Sequence, residues 1–158
     1  LYGFQTAMEA SKMEDTLVAC EGYMDLIALQ SNGVRNSAAV LGTALTKEHA
    51  KLIRCFYKKV RLALDSDGPG VQAMIRSIPV LENAGLEVDT VSFHPAKDPD
   101  EFLQGYGKEA LKARVSHGTD PLAMVVRASA EPEAELVRQL ARRIQPRADA
   151  KGSLEKTG

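Results

Sequence analysis

Three acidic strings in this sequence each follow a short apolar run. Glu21-Gly22-Tyr23-Met24-Asp25 comes after Thr16–Cys20, and Asp65-Ser66-Asp67-Gly68 after Val60–Leu64. Lys97-Asp98-Pro99-Asp100-Glu101 follows Leu86–Phe93. Asp65 and Asp67 are two positions apart, so their side chains point the same way if extended geometry persists past the run. Carboxylates gathered like this repel one another, by roughly 3 kcal/mol for a pair about 5 Å apart at an effective dielectric near 20. The group then either raises its pKa values or recruits a cation. Oxygen-only ligands suit Mg²⁺, which takes one or two carboxylates and completes its shell with waters and phosphate oxygens. Such an ion aligns a phosphate for in-line displacement. Each string alone also suits a solvated turn or a helix cap; their joint placement is what points to a cation.

That placement depends on the elements. Apolar runs at Thr16–Cys20, Ser37–Leu41, Val60–Leu64 and Leu86–Phe93 predict four strands, alternating with helical patterns at Tyr23–Ser31, Lys47–Phe56 and Val71–Asn83. An opening helix is expected near Thr6 to Lys12. Thr46 is suited to cap the helix that follows it, Pro69 sits where a first helical turn begins, and Gly85 supplies a C-terminal stop. Asp98-Pro99 reads as the cap and first residue of a further helix, with helical pattern continuing to about Gln145. Strands separated by helices of this length form βαβ units and a mainly parallel sheet with helices on both faces. The strands read as nearly unbroken apolar runs because both faces are covered. The expected fold class is therefore doubly wound α/β, and in such sheets ligands bind at the carboxyl ends of the strands. All three acidic strings lie there.

Composition limits the alternatives. The 158 residues are 44% hydrophobic and 26% charged, which fits a folded soluble domain. Lys plus Arg total 20 against 21 Asp plus Glu, a net charge of -1, so this is no basic nucleic-acid arm. Aromatic residues are 5% with no Trp, which argues against a base-stacking platform. Cys20 and Cys55 form no CxxC pair, so no zinc site is expected in this chain, and a reducing cytoplasm is the natural compartment. Neither a membrane span nor a secretory leader is visible. A start at Leu1 rather than Met suggests a piece of a longer protein. His49, His94 and His117 lack metal-ligand spacing and read as solvent or helix-face residues. Arg138, Arg142, Arg143 and Arg147 alternate with acidic residues and read as a solvated helix face.

The strings EGYMD, LGTALT (Leu41 to Thr46), LDSDGPG and KDPDEFL together resemble the Toprim domain of bacterial replicative primases. The likeness runs from LYGF at Leu1 through at least Asp120 and includes KEALKAR at Lys108 to Arg114. It implies a Toprim-like fold over residues 16–105, after an opening segment 1–15 and before a helical extension 106–145 and a flexible tail 146–158. It also implies Glu21, Asp65 and Asp67 as the catalytic set holding Mg²⁺ (or Mn²⁺), with Asp25, Asp98 and Asp100 as further acidic positions able to join the metal site. Ser66 stands where many members have Gly and is expected to face away from the aspartate pair.

Gly42, Thr43, Gly68 and Lys97 are the candidates for nucleotide contact. Turn geometry also accounts for Gly42 and Gly68, and for Gly70 beside it. The implied activity is DNA-directed RNA synthesis: ribonucleoside triphosphates joined into a short RNA primer on a single-stranded DNA template, with pyrophosphate released. A replicative helicase would be met through a domain not present here, and the isolated piece is expected to be weakly active or inactive. The alternatives are another Toprim protein: a metal-dependent nuclease, the cleavage half of a topoisomerase, or a non-catalytic DNA-binding scaffold.

Overall fold

A computed structural model describes residues 1–42, 44–65, 68–121 and 123. Thr43, Ser66, Asp67, the Arg-rich stretch and most of the expected helical extension therefore lie outside the described residues. Leu1–Pro121 forms one compact unit and Leu122–Gly158 a second. The first holds α1 (Phe4–Ala10), β1 (Thr16–Cys20), α2 (Tyr23–Ser31), β2 (Ser37–Ala39), α3 (Lys47–Arg54), β3 (Lys59–Ala63), α4 (Gly68–Asn83), β4 (Glu87–Thr90) and α5 (Pro99–Ser116).

All four strands are parallel, in the order β2-β1-β3-β4. Cys20 lies opposite Ala39 on one side and Ala63 on the other. The chain leaves β1 toward β2 and leaves β3 toward β4, so the order reverses between β1 and β3. Strand period puts Val18, Cys20 and Ala63 on one face, where they join Leu26 and Leu29 of α2 and Phe102, Leu111 and Val115 of α5 in a buried core. Leu17, Ala19, Val60 and Leu62 point the other way and are equally buried. Because both faces are covered, no polar residue is needed at alternate positions. Both sheet edges are closed by single antiparallel bridges, Tyr2 to Ala39 and Thr90 to Thr119, which occupy backbone groups that would otherwise be open to another strand.

Several boundaries differ from the sequence reading. The opening helix begins at Phe4, because Phe4 and Ala7 are the apolar positions it buries. The third helix ends at Arg54 rather than Phe56, and the chain turns there through bonds from Phe56 and Tyr57 N–H to the Ile53 carbonyl. The second strand ends at Ala39 because Leu41 adopts a left-handed conformation, φ 57°. The fourth covers only Glu87–Thr90. α5 stops at Ser116, and Thr119 is paired with Thr90, while most of the helical pattern expected toward Gln145 lies outside the described residues. Within α5, Gly107 takes φ 82° and kinks the helix.

The largest feature absent from the sequence reading is a buried ion pair. Arg61 on β3 and Asp89 on β4 are register partners, 8% and 7% exposed. The Arg61 guanidinium donates to both Asp89 oxygens at 2.7 and 2.6 Å and to the Val115 carbonyl at 2.6 Å. Lys59 Nζ adds a third cationic contact at 2.9 Å. Burial alone pushes the Asp89 carboxyl up, but the bonds from Arg61 and Lys59 outweigh it and hold it below its ordinary range. Gly118 packs so closely that a Cβ there would overlap the Asp89 carboxylate. The pair thus clamps the end of α5 to the sheet.

Removing one partner of such a pair strands the other. Asp89→Ala is expected to cost about 3–5 kcal/mol, and the double change Arg61→Met/Asp89→Leu much less, in urea unfolding. Since the folded-state pKa of Asp89 is depressed, its contribution is complete above the ordinary aspartate value of 3.8 and is lost as pH falls through the folded-state value. Stability curves measured against pH for the chain and for Asp89→Asn should therefore diverge above that value and converge in acid.

Candidate metal and nucleotide site

The site is assembled where β1 and β3 end. Cys20 and Ala63 are paired across strands roughly 4.8 Å apart. Glu21 follows the first directly, and Asp65 follows the second after one residue. This is the point at which the sheet reverses order, and crevices for ligands form there. Among the described residues, Glu21 carries a side-chain oxygen, Oε2, that is buried without a hydrogen-bond partner, and Asp65 Oδ1 is likewise shielded from solvent. The backbone around them is tightly fixed. Leu41 N–H donates to the Glu21 carbonyl at 2.9 Å, and Val40 N–H to the Cys20 carbonyl at 3.0 Å. Gly70, in the first turn of α4, lies against the Asp65 carbonyl so closely that a Cβ would overlap it. Close approach, rather than turn geometry, is what requires glycine there.

A second acidic group lies beside the first. Asp25, at the third position of α2, accepts a hydrogen bond from Gly22 N–H at 3.0 Å and is 6% exposed. Its carboxyl is held above the ordinary aspartate range, first by burial and then by the charges of Asp98 and Asp100, although a bond from Gly22 N–H opposes the rise. Asp98 caps α5 as expected, accepting from Glu101 N–H at 2.8 Å. Lys97 Nζ sits 3.3 Å from Asp98 Oδ2, and the pair with Asp98, followed by the charge of Asp65, raises the lysine's pKa. Cys20 is core, as expected; burial, then the charges of Asp25 and Asp65, push its thiol up. Asp25, Asp98 and Asp100 are therefore mutually close, and Lys97 feels both Asp98 and Asp65.

The sequence-predicted residues fall into three groups. Glu21 and Asp65 lie at adjoining strand exits, and Asp25, Asp98 and Asp100 cluster with each other. Asp67 and Thr43 are outside the described residues. Among the described residues, no group of three His, Cys, Asp or Glu side chains closes around a single point. Gly42, φ 78°, forms the turn after β2 and lines a cavity of about 130 Å³ together with Glu21. Leu64 and Val40 form its apolar wall, and Pro69, Ala73 and Arg76 of α4 complete it. Arg76 is absent from the sequence reading. The signal for it was present: positions 69, 73 and 76 fall on one helical face, and Pro69 starts the helix at the site. His49 also has a role that spacing missed. It completes a capping box on α3, its Nδ1 accepting from Thr46 N–H at 3.3 Å while Thr46 Oγ1 accepts from His49 N–H at 3.2 Å.

The buried, unbonded oxygen of Glu21 and the hard, oxygen-only donor set fit a divalent cation of the Mg²⁺ kind. No helix among the described residues is long and apolar enough to cross a membrane.

Comparison with known proteins agrees with this geometry. A family model described as Toprim-like matches residues 18–103. The chain is 39% identical over 139 residues to a DNA primase of Aquifex aeolicus, covering 88% of this chain and 28% of that one. It is 40% identical over 117 residues to a DNA primase of Clostridium acetobutylicum, covering 74% of this chain and 20% of that one. The chain thus spans well under a third of these relatives. Among solved structures, the zinc-binding and RNA polymerase domains of Aquifex aeolicus primase align at a TM-score of 0.71 and 39% identity, over 86% of this chain and 34% of that one. A DnaG primase catalytic domain bound to single-stranded DNA aligns at 0.68 and 26% identity, over 84% and 44%. The parallel order, the acidic strand exits and the matched span agree, and the chain belongs to the Toprim-like family.

Proposed function

We propose that this chain is the catalytic Toprim portion of a DNA primase, which joins ribonucleoside triphosphates into short RNA primers on a single-stranded DNA template. The observation that carries the reading is the Glu21 side chain: a carboxylate oxygen buried without a donor, at the sheet's reversal point and one strand away from Asp65. An unanswered buried acceptor costs roughly 1–3 kcal/mol, more when charged, and is retained where a ligand satisfies it.

In the reaction, the primer 3′-hydroxyl oxygen bonds to the α-phosphorus of the incoming nucleotide, the bond to the β-phosphate's bridging oxygen breaks, and pyrophosphate leaves. Glu21, Asp65 and Asp67 would hold Mg²⁺ or Mn²⁺, with Asp25, Asp98 and Asp100 as further acidic positions; when bound, the cation supplies charge neutralisation for the phosphates. Glu21 is suited both to accept the hydroxyl proton and to hold the cation, and both roles need its ionised form. Asp98 is fixed as the α5 cap and Asp25 by Gly22 N–H, which limits the rotation of both carboxylates. Gly42, Thr43, Gly68 and Lys97 are the nucleotide-contact candidates, and Lys97 tempers the acidic edge through Asp98. The net charge of -1 leaves the grip on template, like contact with the replicative helicase, to other parts of a full primase. A bacterial cytoplasm, at the replication fork, is the compartment such a protein needs.

Joined to the remainder of a primase polypeptide, this chain should make RNA from ribonucleotides on single-stranded DNA. Glu21→Gln or Asp65→Asn should lower synthesis by about 10³-fold or more with the circular dichroism spectrum unchanged. Shortened DNA in place of new RNA would identify a nuclease, and wild-type rates in either variant would remove that residue from the chemistry.

Asp25 supplies an independent check. Its folded-state pKa is raised, so the cation-free chain should lose stability as pH rises through that value, and Mg²⁺ should restore it. Thermal melts of Asp25→Asn at pH 7 should show a higher midpoint than wild type without Mg²⁺ and a smaller gain on adding it. Equal Mg²⁺ gains in both would place Asp25 outside the cation's environment.

A further inference from the structure

The cavity beside Glu21 contains a cation that the chemistry above leaves unused. Arg76 lines it from the third turn of α4, on the face shared with Pro69 and Ala73. Helical side chains lean toward the helix N-terminus, which here is the strand-exit edge. Arg76 is exposed, and among the described residues it makes neither an ion pair nor a side-chain hydrogen bond, although Glu21 borders the same space. A guanidinium and a carboxylate sharing one recess without pairing leave room for a ligand with both a cation-seeking and a carboxylate-compatible end. The cavity, about 130 Å³, has Val40 and Leu64 as its apolar wall.

Charge points the same way. A triphosphate approaching Glu21, Asp65, Asp25, Asp98 and Asp100 is repelled unless positive charge lies on the same edge. Lys97 is engaged with Asp98, at 3.3 Å. Arg76 has the planar fork that binds two oxygens of one phosphate at once.

We propose that Arg76 binds the terminal phosphates of the incoming nucleoside triphosphate in the cavity it shares with Glu21, an assignment that rests on the primer-synthesis reading. The residue holds the phosphate end away from the carboxylates while the α-phosphate faces the primer hydroxyl.

The test uses the 158-residue chain itself. Mn²⁺ binding is measured by electron paramagnetic resonance, and binding of ATP in Mn²⁺ by equilibrium dialysis, for wild type, Arg76→Ala and Arg76→Lys. Arg76→Ala is expected to weaken ATP by about tenfold or more, to leave nucleotide-free Mn²⁺ binding intact, and to be partly rescued in Arg76→Lys. ATP affinity within twofold of wild type in Arg76→Ala overturns the assignment while leaving the metal site standing. Loss confined to a single-stranded DNA oligonucleotide, with ATP unaffected, also overturns it, because the phosphate would then belong to a nucleic-acid backbone. A wild-type chain that binds no Mn²⁺ overturns both this assignment and the primer-synthesis reading.

Discussion

Carboxylates brought together by a fold must be answered by something, and in this chain two groups of them are answered in opposite ways. Asp89 is surrounded by donors, with Arg61 on both oxygens and Lys59 beside it, and its carboxyl is held low. Glu21 has a buried oxygen with no donor among the described residues, and Asp25 is held above its ordinary range by burial and by its acidic neighbours. The first arrangement is complete and serves the fold, clamping α5 onto β3 and β4. The second is incomplete and lies at the edge where the sheet reverses. Environments that drive like groups apart in pKa, as for Asp89 and Asp25, mark the raised one as a candidate for function.

Much of this was legible in the sequence because parallel sheets translate order into position. Four apolar runs alternating with helical patterns are sufficient for a doubly wound sheet. Once the sheet is accepted, the residue after each strand lies on one edge whatever the loops do in between. Thr16–Cys20 and Tyr23–Ser31 coincide with β1 and α2, and Thr46 and Asp98 cap their helices as their side chains suggest. Caps are readable because a short polar side chain directly before a helix has one dominant use, satisfying an exposed N–H.

What escaped the sequence was pairing across distance. Nothing in Lys59-Val60-Arg61 or Glu87-Val88-Asp89 announces that residues 61 and 89 face each other, because only the register of β3 against β4 makes them partners. An Arg inside an apolar run reads as an interruption until its partner is located. Arg76 escaped for a related reason: its meaning depends on which face of α4 turns toward the strand exits. The early end of helix after Ser116 is also a long-range effect, since Thr119 is drawn out to close the β4 edge beside Thr90.

The exits themselves are held by backbone more than by side chains, and this bears on how the site can work. A non-glycine residue with φ 57°, as at Leu41, carries a strain of roughly 1–2 kcal/mol. It persists here because the bonds from Val40 and Leu41 N–H to the Cys20 and Glu21 carbonyls continue the β1–β2 ladder past its formal end. On the other side, Gly70 allows α4 to close against the Asp65 carbonyl, where any side chain would hold the helix off. Glu21 therefore has its main-chain oxygen occupied and its neighbours fixed, while one side-chain oxygen is left without a partner among the described residues. A site whose donors are positioned by strand ladders and helix contact needs little rearrangement when a ligand arrives.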